Sequence, residues 1–177
     1  MPVERRLVLI RHAKSDYPAG VPDHDRPLNS RGRRDAPGIG DWLAGHVSLA
    51  DVRGCLVLVS SALRAQQTWA LAAARLGPDW SVRRTRDEPR IYEAGPRTLI
   101  DVVASTPGDV DLLVMVGHNP GVSMVVDALC ASAPLVDEAT AKFPTSGIAV
   151  IEGIVDWADV PSLAGKLRLA GYAVPRG

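Results

Sequence analysis

Three short apolar runs constrain this chain more than any other feature. They read LVLI at 7–10, LVLVS at 56–60 and LLVMV at 112–116. None of them alternates with polar residues. A strand with one wet face would alternate, so these runs suit strands buried on both faces. That is the habit of a mostly parallel sheet covered by helices on each side. A fourth run, GIAVIEGIV at 147–155, is mixed.

Helix-type stretches lie between the runs. Residues 30–46 follow Asn29, which is a cap candidate together with Ser30. Pro37 and Gly38 interrupt that stretch and predict either an irregularity or a later start at 37. Residues 62–76 are rich in Ala and Leu and stop at Gly77-Pro78. Residues 96–106 and 121–131 are two further helix candidates. Strand–helix alternation predicts an α/β fold with right-handed crossovers. The segment YPAGVPDHDRPLN at 17–29 reads as a loop. No repeat or low-complexity linker divides the 177 residues, so a single domain over 1–177 is expected.

Charge narrows the partners. The 20 basic and 20 acidic residues cancel, which leaves no electrostatic case for nucleic acid or a membrane surface. MPVERR leads directly into a strand without a signal peptide, and no apolar run approaches ~18 residues. A cytoplasmic protein is the expectation. Cys55 and Cys130 sit in apolar runs far apart and read as core residues, not as a disulfide or metal pair.

Open α/β sheets bind ligands beyond the carboxyl ends of their strands. Three strand ends here carry conspicuous residues. The first ends in Arg11-His12, the second in SSALRAQQT with Arg64, and the LLVMV run in GHNPG with His118. Two arginines in one cleft favour an anion, because guanidinium forks match phosphate oxygens. A neutral imidazole among them can attack phosphorus, and a cationic one can hold phosphoryl oxygens. Each feature also has a plain structural reading. GHNPG is a good turn in its own right, and Arg64 on a helix suits a solvated face. His12 and His118 as zinc ligands are conceivable, but no His/Cys/Asp cluster has ligand spacing and Arg11 would repel a cation. His24 and His46 are not expected to be catalytic.

The ordered set LIRHAKSD, DRPLNSRG, VSSALRAQQT, IYEAG, VGHNPG and FPTSGIAV resembles the histidine phosphatase superfamily. It is most similar to the small SixA-type phosphohistidine phosphatases of bacteria. The resemblance implies a three-layer α/β/α sandwich of the phosphoglycerate mutase type. It also implies that His12 is the nucleophile, and that Arg11, Arg64, His118 and Asn119 bind phosphate. Glu93 lies where larger relatives carry a general acid, with Glu88 as a substitute or no carboxylate at all. Ala13 stands where members commonly have Gly, and a methyl is tolerated there unless φ is positive. No metal or other cofactor is implied. The expected substrate is phosphohistidine on a protein, with small phosphate monoesters as the alternative. A phosphate- or phosphoprotein-binding module without catalysis is the alternative of another class. Residues 17–29 and 132–146 are the segments able to cover the pocket.

Overall fold

All four apolar runs are strands of one six-stranded sheet. The computed structural model describes residues 4–177, so the first three residues of MPVERR lie outside the described residues. The strands are β1 (Arg5–Arg11), β2 (Cys55–Val59), β3 (Arg83–Asp87), β4 (Leu112–Gly117), β5 (Ile148–Ile154) and β6 (Arg168–Ala173). Their spatial order is β3-β2-β4-β1-β5-β6. The first four in that order run parallel. β5 is antiparallel to β1, and β6 to β5. The sheet is therefore mixed, with its parallel strands contiguous.

Helices cover both faces. Leu7 and Leu9 point into one apolar core, with Val102 and Val103 of α3 (Pro96–Ala104) and Val122 and Val126 of α4 (Gly121–Leu129). Val8 and Ile10 point into the other, with Ile39 and Leu43 of α1 (Ser30–His46) and Trp69 of α2 (Leu63–Ala73). The unbroken apolar runs are thus explained: every residue of LVLI meets a helix layer. Burying each such side chain contributes about 1.5–3 kcal/mol. The expected three-layer α/β/α sandwich is the fold of this chain.

Helix α1 starts at Ser30, and Asn29 Oδ1 accepts the Gly32 N–H at 2.8 Å. It continues through Pro37, so the later start at 37 does not occur. Gly40 explains the tolerance. It lies so close to α2 that a Cβ there would meet the Ala72 carbonyl at 2.0 Å. This contact holds the helix against α2 one turn beyond the missing Pro37 N–H.

Three elements escaped the sequence reading. β3 is RRTRD, an edge strand whose side chains are mostly exposed, and β6 forms the opposite edge. Edge strands need no apolar run, since one flank and much of each face is wet. Helix α5 (Pro134–Ala141) lies in a segment read only as able to cover the pocket, and it buries only Val136 and Ala139. Cys55 and Cys130 are buried free thiols. Among the described residues no helix is long and apolar enough to cross a membrane.

Candidate functional site

The register of β1 on β4 brings the two histidines together. Arg11 pairs with Gly117, so His12 and His118 follow on adjacent strand tips. The His12 N–H donates to the Gly117 carbonyl at 3.0 Å. The two imidazole ring centroids are 5.0 Å apart. On the other side of β4, the Ser60 N–H donates to the Val116 carbonyl at 3.0 Å.

His12 is buried, and its Nδ1 lies 2.7 Å from the Ala13 carbonyl. A carbonyl only accepts, so Nδ1 carries the proton and Nε2 keeps its lone pair. Burial pushes this imidazole down to about 3; the Ala13 hydrogen bond opposes the shift, and His118, Arg64 and Arg11 add to it. At neutral pH the ring is therefore uncharged and nucleophilic. Ala13 itself is fully buried and is not among the described non-glycine residues with positive φ. Its N–H donates to Thr68 Oγ1 at 3.0 Å, and that hydroxyl donates to the Arg64 carbonyl at 2.6 Å. The backbone here does not require glycine, and the methyl packs with Leu28 and Ala36.

His118 Nε2 lies 2.7 Å from Ser60 Oγ. Burial pushes this ring down to about 4, Arg64 adds to the shift, and Asp23 opposes it. Arg11 donates from Nη1 to the Phe143 carbonyl at 2.7 Å, and Asn119 Nδ2 donates to the same carbonyl at 3.2 Å. The FPTSG segment thus braces both residues. Arg11 Nε, His118 Nδ1, Asn119 Oδ1 and Ser146 Oγ are buried and have no partner in the protein. Such atoms are rare in folded interiors, and their concentration at one sheet edge marks a place for a polar ligand.

Arg64, in the first turn of α2, is held by the 17–29 loop. Its Nη1 donates to the Asp23 backbone carbonyl at 2.6 Å and its Nη2 to Asp23 Oδ2 at 3.0 Å. Tyr92 donates its hydroxyl to the same Oδ2 at 2.9 Å, and Arg26 Nη1 donates to Oδ1 at 2.6 Å. Desolvation pushes the Asp23 carboxyl up, but Tyr92, Arg26 and Arg64 outweigh it and hold the group down at about 2.

Two cavities meet at these residues. One, of about 190 Å³, is lined by Arg11, His12, Lys14, Tyr17, Arg26, Arg64 and His118, with Asn119 and Thr145 at its side. The other, of about 420 Å³, shares Arg64, His118 and Asn119 and adds Asp23, Glu93 and the Gly95 and Gly121 turns. The first cavity gathers four permanent cations around two neutral imidazoles. That arrangement can seat a phosphoryl group and compensate its charge. Among the described residues no group of three His, Cys, Asp or Glu side chains could hold a metal ion.

The family model described as histidine phosphatase superfamily (branch 1) matches residues 7–119. The chain belongs to the histidine phosphatase superfamily. An uncharacterized protein of Mycobacterium tuberculosis is 40 % identical over 171 residues, covering 94 % of this chain and 100 % of its own. Two solved structures, from Nakamurella multipartitia and Agrobacterium tumefaciens, bear the name "putative phosphohistidine phosphatase SixA". The first superposes with a TM-score of 0.81 at 28 % identity, covering 97 % of this chain and 96 % of that one. The second gives 0.76 at 27 %, covering 97 % and 98 %.

Within this member of the histidine phosphatase superfamily, Arg11, His12, Arg64, His118 and Asn119 come together around one cavity. Glu93 lines the larger cavity in the left-handed region, at φ 54°. Glu88 does not line either cavity. It is bound to Arg90 through both carboxylate oxygens at 2.9 Å and caps the turn at 89–91. His46 stacks on Trp42 at the far end of α1, and His24 donates or accepts at Ser61 Oγ, 3.0 Å away, outside both linings. The sequence reading missed Asp23, Arg26, Tyr92 and Tyr17. For Asp23, Arg26 and Tyr17 the only signal was their place in a loop predicted to cover the pocket, and for Tyr92 its place in IYEAG beside Glu93; nothing in PDHDR says which side chain turns inward.

Proposed function

We propose that this protein is a metal-independent phosphatase that works through a phosphohistidine formed on His12. The observation that carries this reading is the His12 Nδ1 bond to the Ala13 carbonyl, inside a cavity lined by Arg11, Arg64 and His118. It supplies a neutral nucleophile of defined tautomer among cations. Nε2 attacks phosphorus and the bond from phosphorus to the leaving atom breaks. Arg11 and Arg64 compensate the phosphoryl oxygens, and His118 donates to one of them. An alkoxide leaving group takes a proton from Glu93; an imidazole leaving group needs less help. Water then attacks the phosphorus of phospho-His12, the P–N bond breaks, and phosphate leaves.

Phosphohistidine on a protein is the preferred substrate. The names borne by the two solved relatives and the open junction of the two cavities support it. Glu93 beside the larger cavity favours a second reading, a phosphatase of small phosphate monoesters.

The test is phosphate release in EDTA by wild type and His12→Ala. Substrates are a phosphohistidine-bearing protein and p-nitrophenyl phosphate, with an alkaline quench to preserve labelled enzyme. Release and labelling that vanish in the variant are expected. Undiminished release by His12→Ala refutes the mechanism, and phosphate binding without release by wild type points to a binding module.

A further inference from the structure

Tyr17 is 71 % exposed, the most exposed large apolar side chain among the described residues. Yet it lines the same cavity as His12 and Arg11. It is not a loose surface ring. The Arg26 guanidinium lies 3.5 Å from the ring centroid. Every nitrogen of that guanidinium is engaged: Nε with the Asp16 carbonyl at 2.9 Å, Nη1 with Asp23 Oδ1 at 2.6 Å, and Nη2 with Ser15 Oγ. The Tyr17 N–H donates to Asp16 Oδ1 at 2.9 Å. One face of the ring is therefore backed by a fixed cation and the other is left to solvent.

A solvent-facing tyrosine on an arginine is ordinary and contributes little by itself. Two facts set this one apart. It stands on the wall of the phosphoryl cavity, and the arginine behind it is fixed by three bonds, one of them to the Asp23 carboxylate that also holds Arg64. In a cavity of about 190 Å³, a group bonded to phosphorus either lies along the rim, where Tyr17 stands, or passes into the adjoining cavity of about 420 Å³. A planar group emerging at the rim can lie flat on the open face of Tyr17. An aliphatic chain gains no comparable geometry.

We propose that Tyr17 is a specificity-determining residue whose open ring face receives a planar group bonded to phosphorus, such as the imidazole of phosphohistidine, in preference to an aliphatic group. The proposal rests on the reading of this cavity as the phosphoryl site.

Non-hydrolysable phosphonates test it without relying on turnover. Phenylphosphonate and cyclohexylphosphonate, each with a six-membered ring on phosphorus, would be titrated by calorimetry into wild type, Tyr17→Phe and Tyr17→Leu. Wild type should bind the planar ring roughly three- to tenfold more tightly. Tyr17→Phe should keep that preference, and Tyr17→Leu should abolish it while leaving the cyclohexyl probe unchanged. Equal binding of both probes by wild type overturns the proposal. So does an equal loss of both probes in Tyr17→Leu, which would make Tyr17 a prop for Arg26. Failure of both phosphonates to bind wild type removes the phosphoryl-site reading and the proposal together. A preserved planar preference beside an active His12→Ala enzyme would instead refute the catalytic mechanism and leave Tyr17 in place.

Discussion

Asp23 holds both terminal nitrogens of Arg64, one through its backbone carbonyl at 2.6 Å and one through its carboxylate at 3.0 Å. An anion entering the cavity must compete with that carboxylate for the guanidinium. Replacing Asp23 by Asn keeps the shape and removes the negative charge. Inorganic phosphate should then inhibit hydrolysis of p-nitrophenyl phosphate at a concentration roughly three- to tenfold lower than in wild type. Weaker inhibition would mean that the carboxylate serves mainly to aim Arg64.

The two neutral imidazoles make anion binding depend on pH. His118 is held down at about 4 by burial first, with Arg64 adding. A bound dianion raises the pKa of a neighbouring base. The complex then carries a proton that the free protein lacks, so affinity falls as pH rises. Sulfate is the suitable probe, because its own charge does not change over this range. Between pH 5 and 8, titrations in buffers of different ionisation enthalpy should reveal proton uptake. The change in affinity should approach about tenfold per pH unit at most. His118→Gln should flatten the dependence, and a flat wild type would contradict this account.

Glu93 can be tested by the leaving group. Glu93→Gln keeps the side chain's size and removes its acidity. Hydrolysis of an alkyl phosphate should fall about 10²-fold or more. Release from p-nitrophenyl phosphate or phosphohistidine should change by less than about threefold, since neither leaving group needs a strong acid. Equal losses on all three substrates would assign Glu93 to positioning.

Gly32 binds the start of α1 to the loop behind His12. A Cβ at this position would meet the Lys14 carbonyl at 2.1 Å, and Asn29 N–H donates to that same carbonyl at 3.0 Å. Gly32→Ala must push backbone against backbone. Chemical denaturation should show a loss of about 1–3 kcal/mol, and kcat/KM should fall as the loop carrying Lys14 and Ser15 moves. Unchanged stability would show that α1 can shift freely, which the buried Ala36 and Ile39 of that helix oppose.

The amino-acid sequence made the strand tips legible because each follows a run of residues buried on both faces. LVLI points at Arg11 and His12, and LLVMV at His118, and the rule for parallel sheets brings them to one edge. Asn29 was legible as a cap for a local reason: its side chain reaches a backbone N–H three residues on. What stayed hidden was set by distant partners. RRTRD is a strand only because β2 offers it a free edge. Asp23 and Tyr17 matter because the loop folds back over Arg64 and Arg26, and no spacing in YPAGVPDHDR encodes that return. Glu88 and Glu93 look alike in sequence; Arg90, bonded to one and not to the other, separates them.

The pairing of Arg11 with Gly117 has one more consequence. Side chains alternate along a strand, so a slip of one residue between β1 and β4 would exchange the two faces along the pair. Leu7 and Leu9 serve one core, Val8 and Ile10 the other. Both cores would be spoiled by the slip that separates His12 from His118. Folding therefore proofreads the candidate site: a chain that has packed its interior correctly has already set the two imidazoles side by side.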